Sequence, residues 1–368
     1  MKLKEICEYI SDRVAALAVS EESYISTENM AQNKGGVTKA SSVPSSGAVI
    51  RYRNNDILIS NIRPYFKKIW QADKAGGCSA DVLCIRAKDH VDSTFLYYLL
   101  SQDTFFEYVM TGAKGCKMPR GDKGHIMDWE IDIPDEKSEQ AAIAQCLKML
   151  DRKIEINKQI NDNLEQQASS LLSDWISTYP CRTYKLSDIC KYANAKCETG
   201  NLTPQNYIST ENMLPNKKGI VEASNIPTGK ATCFKVDDIL IANIRPYFQK
   251  IWKADINGGC SADVLCIRAN IESHSPILYW LLHQDAFFEY VMTGAKGCKM
   301  PRGDKQHIMN WSIDLPEVQY WADLATQLGS IDQQIAYNRI ESINLSNLRD
   351  TLLPKLMSGE IKINEIDC

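Results

Sequence analysis

No apolar run in the chain approaches the roughly 20 residues that a membrane span requires, and Met1 leads into "KLKEICEYI" rather than a leader peptide. Nor does the overall charge announce a partner. The net charge is −4 over 368 residues, so a nucleic-acid role has to rest on local basic clusters. The thirteen cysteines include no C-x-x-C pair and their total is odd. Duplication accounts for many of them, since Cys78, Cys84 and Cys116 return as Cys260, Cys266 and Cys298. The reading is a cytoplasmic protein with reduced thiols and no structural zinc. Also missing are G-x-x-x-x-G-K-[ST], N-P-P-[YF], D-P-P-Y and any Gly-rich nucleotide-binding turn, which leaves no motif for binding ATP or methylating a base. What remains is ordinary for a soluble globular chain of two or three domains, with 44% hydrophobic and 24% charged residues.

What is present is a duplication. "DILISNIRPYFKKIWQADKAGGCSADVLCIR", from Asp56 to Arg86, returns from Asp238 to Arg268 with five differences in 31 positions. The stretch from Phe105 to Pro134 returns as Phe287 to Pro316 with four differences. "YISTENM" occurs at Tyr24 and Tyr207, and "LLSD" at Leu171 answers "LLPK" at Leu352. Two units of about 180 residues are therefore expected, offset by 181 to 183 positions. A third echo, "KINEI" from Lys362, follows "KLKEI" at Lys2 and "KLSDI" at Lys185. It suggests a tail that returns to the first domain and closes the units into a pseudo-symmetric ring.

Each unit has two parts. In the first, "DILIS" and "SADVLCIR" are short, β-rich and bounded by Gly and Asp, which predicts strands. "STFLYYLLSQDTFFEYVM" has helical spacing up to a C-cap at Gly112, and "WEIDIP" and "WSIDLP" read as strands stopped by proline. This is an α/β (α+β) domain. In the second part, the positions Ile143, Leu147, Leu150, Ile154, Asn157, Asn161, Leu164, Ala168, Leu171 and Trp175 alternate in steps of four and three, a mostly apolar seam. The second unit repeats the seam with Leu324, Leu328, Ile331, Ile335, Asn338, Ser342, Leu345, Arg349 and Leu352. Such heptads predict two long helices packed on each other, with Asn157 and Asn338 fixing the register. The alternative is two amphipathic helices, each lying on its own domain.

The clearest chemical signal is "GAKGCKMPRGDK", identical at Gly112–Lys123 and Gly294–Lys305. It is no phosphate loop, because it lacks the Ser or Thr and leaves a helix rather than opening one. A metal-nuclease reading of Pro134-Asp135 with Asp151-x-Lys153 fails in the second copy, where Gln334 replaces the lysine. His125 and His307 have no partner histidines, so packing explains them, and "GGCSAD" reads as a buried small-residue turn. Binding remains. Lys114, Lys117, Arg120 and Lys123 put a net +3 on a Gly-rich loop. "NIRPYFKKIW" adds Asn61, Arg63, Tyr65, Lys67 and Lys68, with Phe66 and Trp70 read as core. The second copy offers Asn243, Arg245, Tyr247, Lys250, Lys296, Lys299, Arg302 and Lys305. Lys and Arg neutralise phosphates, and Asn and Arg make paired hydrogen bonds to base edges. The bland alternative is a solvated charged surface. Two such clusters per domain, in two domains on a rigid spacer, suit a bipartite DNA target.

"DILISNIRPYF" with "GGCSAD", the linker "DIPDEKSEQAAIAQCLKMLDRKIEINKQINDNLE", and the closing "LRDTLLPKLMSGEI" together resemble the specificity subunits of type I restriction-modification systems over essentially the whole chain. The second linker, "LPEVQYWADLATQLGSIDQQI", departs by lacking the Glu-Gln. The resemblance implies target-recognition domains at 1–136 and 179–317, helical spacers at 137–178 and 318–357 forming an antiparallel coiled coil, a tail at 358–368, and an internal pseudo-two-fold. It implies a non-catalytic reader of double-stranded DNA that positions two methyltransferase (modification) subunits and motor-nuclease (restriction) subunits. S-adenosylmethionine, ATP and Mg are then expected on those partners and no cofactor on this chain. Near-identical repeats point to a near-palindromic target, with the differences between Val49–Asn55 and Thr232–Asp237 available for separate base preferences. The rival reading is a coiled-coil scaffold, or a DNA-binding subunit of another methyltransferase-based defence system.

Overall fold

A computed structural model describes residues 1–362. The chain divides into two units, Met1–Glu155 with Ser342–Cys368, and Ile156–Glu341, so each takes a stretch of both long helices. Among the described residues no helix is long and apolar enough to cross a membrane. The described cysteines are free thiols, and no group of His, Cys, Asp and Glu among the described residues is placed to hold a metal ion.

The first unit runs α1 (Leu3–Ile6), β1 (Cys7–Tyr9), β2 (Arg13–Ala15), β3 (Tyr24–Ile25), β4 (Ala48–Tyr52), β5 (Ile57–Ser60), β6 (Ile69–Gln71), β7 (Gly76–Cys78), β8 (Val82–Ala87), α2 (Ser93–Leu100), α3 (Asp103–Thr111), α4 (Lys123–Met127) and α5 (Lys137–Thr178). One sheet has the order β1-β8-β5-β6 and is antiparallel; the other has the order β2-β4-β7-β3, with β3 parallel to β7. β5 is buried along its whole length because it is covered on both faces. Ile57 and Ile59 join the helical core of Phe95, Leu96, Phe105 and Phe106, while Leu58 faces Ile25, Tyr52 and Cys78. Asp56, just before β5, takes Arg86 of β8 two-pronged, with Nε and Nη2 each 2.7 Å from a carboxylate oxygen. The repeat builds the same pair from Asp238 and Arg268. The "GGCSAD" glycines lie in strand β7 rather than in a turn. A Cβ on Gly76 would sit 2.2 Å from the Ser23 carbonyl oxygen and 2.4 Å from the Tyr52 hydroxyl, so the second sheet closes only without a side chain there.

The second unit repeats the plan with β9 (Cys181–Lys185), α6 (Leu186–Ile189), β10 (Cys190–Tyr192), β11 (Lys196–Glu198), β12 (Tyr207–Ile208), β13 (Lys230–Phe234), β14 (Ile239–Ala242), β15 (Ile251–Lys253), β16 (Gly258–Cys260), β17 (Val264–Ala269), α7 (Ser275–Leu282), α8 (Asp285–Thr293), α9 (Lys305–Met309), β18 (Ser312–Pro316) and α10 (Trp321–Met357). Its sheets are β10-β17-β14-β15 and β11-β13-β16-β12, with β18-β9 as an added pair.

Other expectations are corrected as well. "STFLYYLLSQDTFFEYVM" is two helices, not one. The Ser101 hydroxyl donates to the Tyr97 carbonyl at 2.7 Å, and Gln102 is extended (φ −66°, ψ 146°) as the N-cap of α3. "WEIDIP" makes only an isolated bridge from Glu130 to Lys2, whereas "WSIDLP" forms β18. The difference lies in the partner: β18 pairs over five residues with β9, and Lys185 of β9 corresponds to Lys2. The missing Glu-Gln is replaced rather than lost. Gln140 is buried and donates to the Pro134 carbonyl at 2.8 Å; Trp321, at the matching position, donates its indole N–H to the Pro316 carbonyl at 2.8 Å.

The long helices pack antiparallel in both units. In the first, Ile143, Ala144 and Leu147 of α5 meet Leu353, Leu356 and Met357 of α10 in the domain core. Leu150, Ile154 and Leu345 are half-buried. Asp151 accepts from the Tyr98 hydroxyl at 2.6 Å and from Arg349 at 2.5 Å. In the second, Ala168, Leu172 and Trp175 of α5 meet Trp321, Leu324, Leu328 and Ile331 of α10, with Leu164 and Ile335 at the margin. Here Leu172, not Leu171, is fully buried, because the helix packs at once on α10 and on Trp280 and Tyr184 of the domain. Asn157 donates to Glu341 at 2.7 Å, and Asn338 donates to Asn161 at 2.8 Å and accepts from Gln334 at 2.8 Å. Asn157 and Asn338 are thus both buried and bonded across the seam, as a register-setting polar layer requires. Of the tail, Ile361 packs on the first unit's core. The "KINEI" echo, past its first residue, lies outside the described residues.

Candidate nucleic-acid interface

Backbone hydrogen bonds tie three loops of the first unit into one surface. The stretch 26–38 donates from Asn33 and Lys34 to the carbonyls of Phe66 and Lys67, each at 2.9 Å. Arg63 in turn donates to the Pro119 carbonyl at 2.8 Å, joining 61–68 to the basic loop. The basic loop is itself a small hairpin in which Lys114 and Arg120 exchange two backbone bonds of 2.9 Å. Four non-glycine residues here are left-handed: Asn33, Lys34, Arg63 and Lys67, with φ between 49° and 62°. Such residues cost about 1–3 kcal/mol each and persist where their surroundings over-determine them. The second unit reproduces all of it. Asn216 and Lys217 donate to Phe248 and Gln249, Arg245 donates to Pro301, and Lys296 pairs with Arg302.

The two basic motifs therefore belong to one surface, although their side chains are used differently. Arg63 and Lys67 bracket a 3-10 turn, Pro64–Phe66, that holds Tyr65 out at 46% exposure; Tyr247 stands at 49%. Phe66 is half-buried and carries Arg63 and Lys68 about its ring, at 6.0 and 5.9 Å from the centroid. The Lys68 ammonium is turned inward, donating to the Thr27 carbonyl at 2.6 Å, and Lys250 does the same to Thr210 at 2.7 Å. Burial pulls both below the ordinary lysine pKa. Asn61 also turns inward, with its amide oxygen buried like that of Asn243. Along β4, Val49 and Tyr52 are core and Ile50 is half-buried while Arg51 is exposed, and Arg53, Asn54 and Asn55 just beyond the strand are exposed too, so Arg51 and 53–55 are the positions of the divergent stretch 49–55 open to a ligand.

On the hairpin, Lys114 pairs with Asp122 at 2.7 Å, Lys296 with Asp304 at 2.5 Å, Arg120 with Asp81 and Arg302 with Asp263 at 3.1 Å each. Asp122 caps α4 by accepting from Gly124 and His125, and the Lys114 ammonium, followed by the His125 amide, holds its pKa down to about 2. Lys123 and Lys305 lie over Tyr9 and Tyr192. Lys117 and Lys299, at the hairpin tip, are exposed and have no acidic partner among the described residues. His125 and His307 are packing residues, stacked on Tyr108 and Tyr290 at 4.3 Å.

Sequence reasoning missed the third loop. Lys34 joins Lys67 on Asp103, at 3.3 and 2.9 Å, and Lys217 meets Asp285 at 2.6 Å. The available signal was "YISTENM" with the following Asn-Lys, a polar stretch that returns intact in a chain whose neighbouring loops diverge.

Residues 1–166 match the family model described as the type I restriction modification DNA specificity domain. The chain is 24% identical over 319 residues to the type I restriction enzyme MjaIX specificity subunit of Methanocaldococcus jannaschii, covering 76% of this chain and 71% of that one. It is 22% identical to the MjaVIII specificity subunit of the same organism, covering 100% of this chain and 93% of that one. Among solved structures, the S subunit of a type I restriction-modification system from M. genitalium shares the fold, with a TM-score of 0.59 at 18% identity, covering 97% of this chain and 95% of that chain. Residues 1–166 thus match the type I restriction modification DNA specificity domain, the second unit repeats their motifs with few differences, and over its whole length the chain is similar to specificity subunits of type I restriction enzymes.

Proposed function

We propose that this chain reads a bipartite target in double-stranded DNA, one half with each three-loop surface, and does no chemistry itself. The observation that carries the reading is the convergence of three polar loops into one basic, strained surface, built twice from nearly the same residues. Lys117 and Lys123, with Lys299 and Lys305, grip phosphates, while Lys114, Arg120, Lys296 and Arg302, each already paired with an aspartate, set the shape of the hairpin; Arg63, Tyr65, Arg245 and Tyr247 reach toward bases. Lys68, Lys250, Asn61 and Asn243 hold the surface together from within. Near-equal readers on antiparallel helices call for near-equal half-sites in inverted order, hence a near-palindromic, interrupted target. Methylome sequencing of cells that carry this system checks the target, and two unrelated half-sites would refute it.

The long helices supply the docking sites for two modification subunits, with motor-nuclease subunits joining them. Exposed apolar side chains on their outer faces support this: Ile156, Ile160, Tyr337 and Ile340 in the second unit, Met149 and Leu348 in the first. S-adenosylmethionine, ATP and Mg then belong to those partners. For DNA binding by the chain, Lys114→Ala with Lys117→Ala is expected to weaken affinity and flatten its salt dependence by about one unit of slope per lost phosphate contact. An unchanged slope and affinity would take the hairpin off the DNA.

A further inference from the structure

The two loop surfaces are so alike that their few differences stand out. Over the three loops the charged residues match one for one except at two places. Lys67 of the first unit is Gln249 in the second, and Gly35 of the first is Lys218 in the second. By loop sequence alone a lysine has moved and the charge is equal. The structure breaks that equality.

In the first unit Asp103 receives both Lys34, at 3.3 Å, and Lys67, at 2.9 Å, so two ammonium groups share one carboxylate and a positive charge is left over. In the second, Asp285 receives Lys217 at 2.6 Å, and the side chain near it where Lys67 would be is the neutral Gln249; Lys217, and to a smaller extent Gln249, hold its carboxyl below the ordinary value. The extra lysine of that unit, Lys218, lies 3.2 Å from Asp162 of α5 and is cancelled there. The offset that aligns Asp151 with Asp332 puts Ile343 at the place of Asp162 in the first unit, so no acid corresponds to it. Lys34 and Lys67 with Asp103 sum to +1; Lys217 and Lys218 with Asp285 and Asp162 sum to zero.

We propose that the two DNA-facing surfaces are electrostatically unequal, and that Lys67 gives the first unit one phosphate contact that the second lacks. A target with equal halves is then gripped unequally. The first unit engages and retains its half-site at salt concentrations that release the second. The inference rests on the reading that these loops face DNA.

The test uses the full chain and a fluorescein-labelled duplex of mixed sequence, with the dissociation constant measured by anisotropy over a fourfold range of salt. Lys67→Gln installs the side chain that the second unit already folds with. It is expected to lower the slope of log affinity against log salt by about 0.9, which is ~3.5-fold across that range. Gln249→Lys is expected to raise it by the same amount. Lys218→Gly is expected to leave it unchanged, because Asp162 already neutralises that lysine. Equal losses from Lys67→Gln and Lys218→Gly would overturn the proposal by making the surfaces equivalent. So would unchanged slopes in both Lys67→Gln and Gln249→Lys while Lys117→Ala with Lys299→Ala lowers the slope, and in that case the DNA-facing reading survives. If the last pair also changes nothing, that reading falls and takes the asymmetry with it.

Discussion

Gly112 opens the basic hairpin, and replacing it with alanine tests how tightly the hairpin is set. The glycine is not left-handed, with φ −95°, so backbone freedom is not its purpose. It makes room for the His125 imidazole. A Cβ there would lie 2.2 Å from Cδ2 and 2.5 Å from Cγ of that ring, where carbon atoms ordinarily keep about 3.5–4.0 Å. The ring is also held in place. It stacks on Tyr108 at 4.3 Å with 10° between the planes, and its Nε2 is 3.0 Å from the Thr111 hydroxyl. The Tyr108 hydroxyl donates to the His125 carbonyl at 3.1 Å. Either α4 moves or the stack breaks. Overpacking of this kind costs about 1–3 kcal/mol, and the rigid, bonded neighbour puts Gly112→Ala at the upper end. For a unit of this size that is a fall in melting temperature of ~4–12 °C. Calorimetry of the full chain checks it, and Gly294→Ala, which meets His307 at 2.2 Å, is expected to lower the second unit's transition alike. Gly112→Ala with His125→Ala is expected to recover most of the loss. A single variant that melts like the parent would show that the ring yields freely, and the reasoning would fail.

Acid is expected to strain the second unit more than the first. His283 is buried against Tyr279 and Trp280 where the first unit has Ser101, and burial holds its pKa down to about 3. A histidine kept neutral in the fold but free to protonate when unfolded stabilises fully above about pH 6.5, and loses about 1.4 kcal/mol per pH unit from there down to its folded pKa. His283→Ser is expected to abolish that slope in urea unfolding between pH 6.5 and 4; an unaltered slope would place the proton uptake elsewhere. In the helical seam, Asn157→Ala is expected to cost about 1–2 kcal/mol by removing its bonds to Glu341 and to the Asn338 carbonyl, whereas Asn157→Leu with Asn338→Leu is expected to melt at or above the parent. If the leucine pair melted below the alanine variant, the polar layer would be a source of stability rather than of register.

Much of the plan was legible in the letters. Near-identical stretches about 182 positions apart fold alike because they bring the same local preferences and the same partners, as the twin Asp56–Arg86 and Asp238–Arg268 pairs show. The heptad seam could be read because helical periodicity is a property of the segment itself, and even its polar layer at Asn157 and Asn338 fell on phase. The basic hairpin stood out by charge and repetition. Tertiary structure alone decided the rest. Three loops 30 to 90 residues apart share one surface through backbone bonds, which carry no sequence signature. Lys68 and Lys117 look equivalent as letters, yet one ammonium is held by the half-buried Thr27 carbonyl and the other is exposed at a hairpin tip, because the surrounding backbone decides which polar groups lack a partner. Gln140 and Trp321 look unrelated, yet they satisfy equivalent carbonyls, those of Pro134 and Pro316, since the fold asks for a donor at that point and not for a particular residue. Whether a lysine adds to the field or is cancelled within it, as for Lys67 and Lys218, depends on an aspartate that only folding brings near.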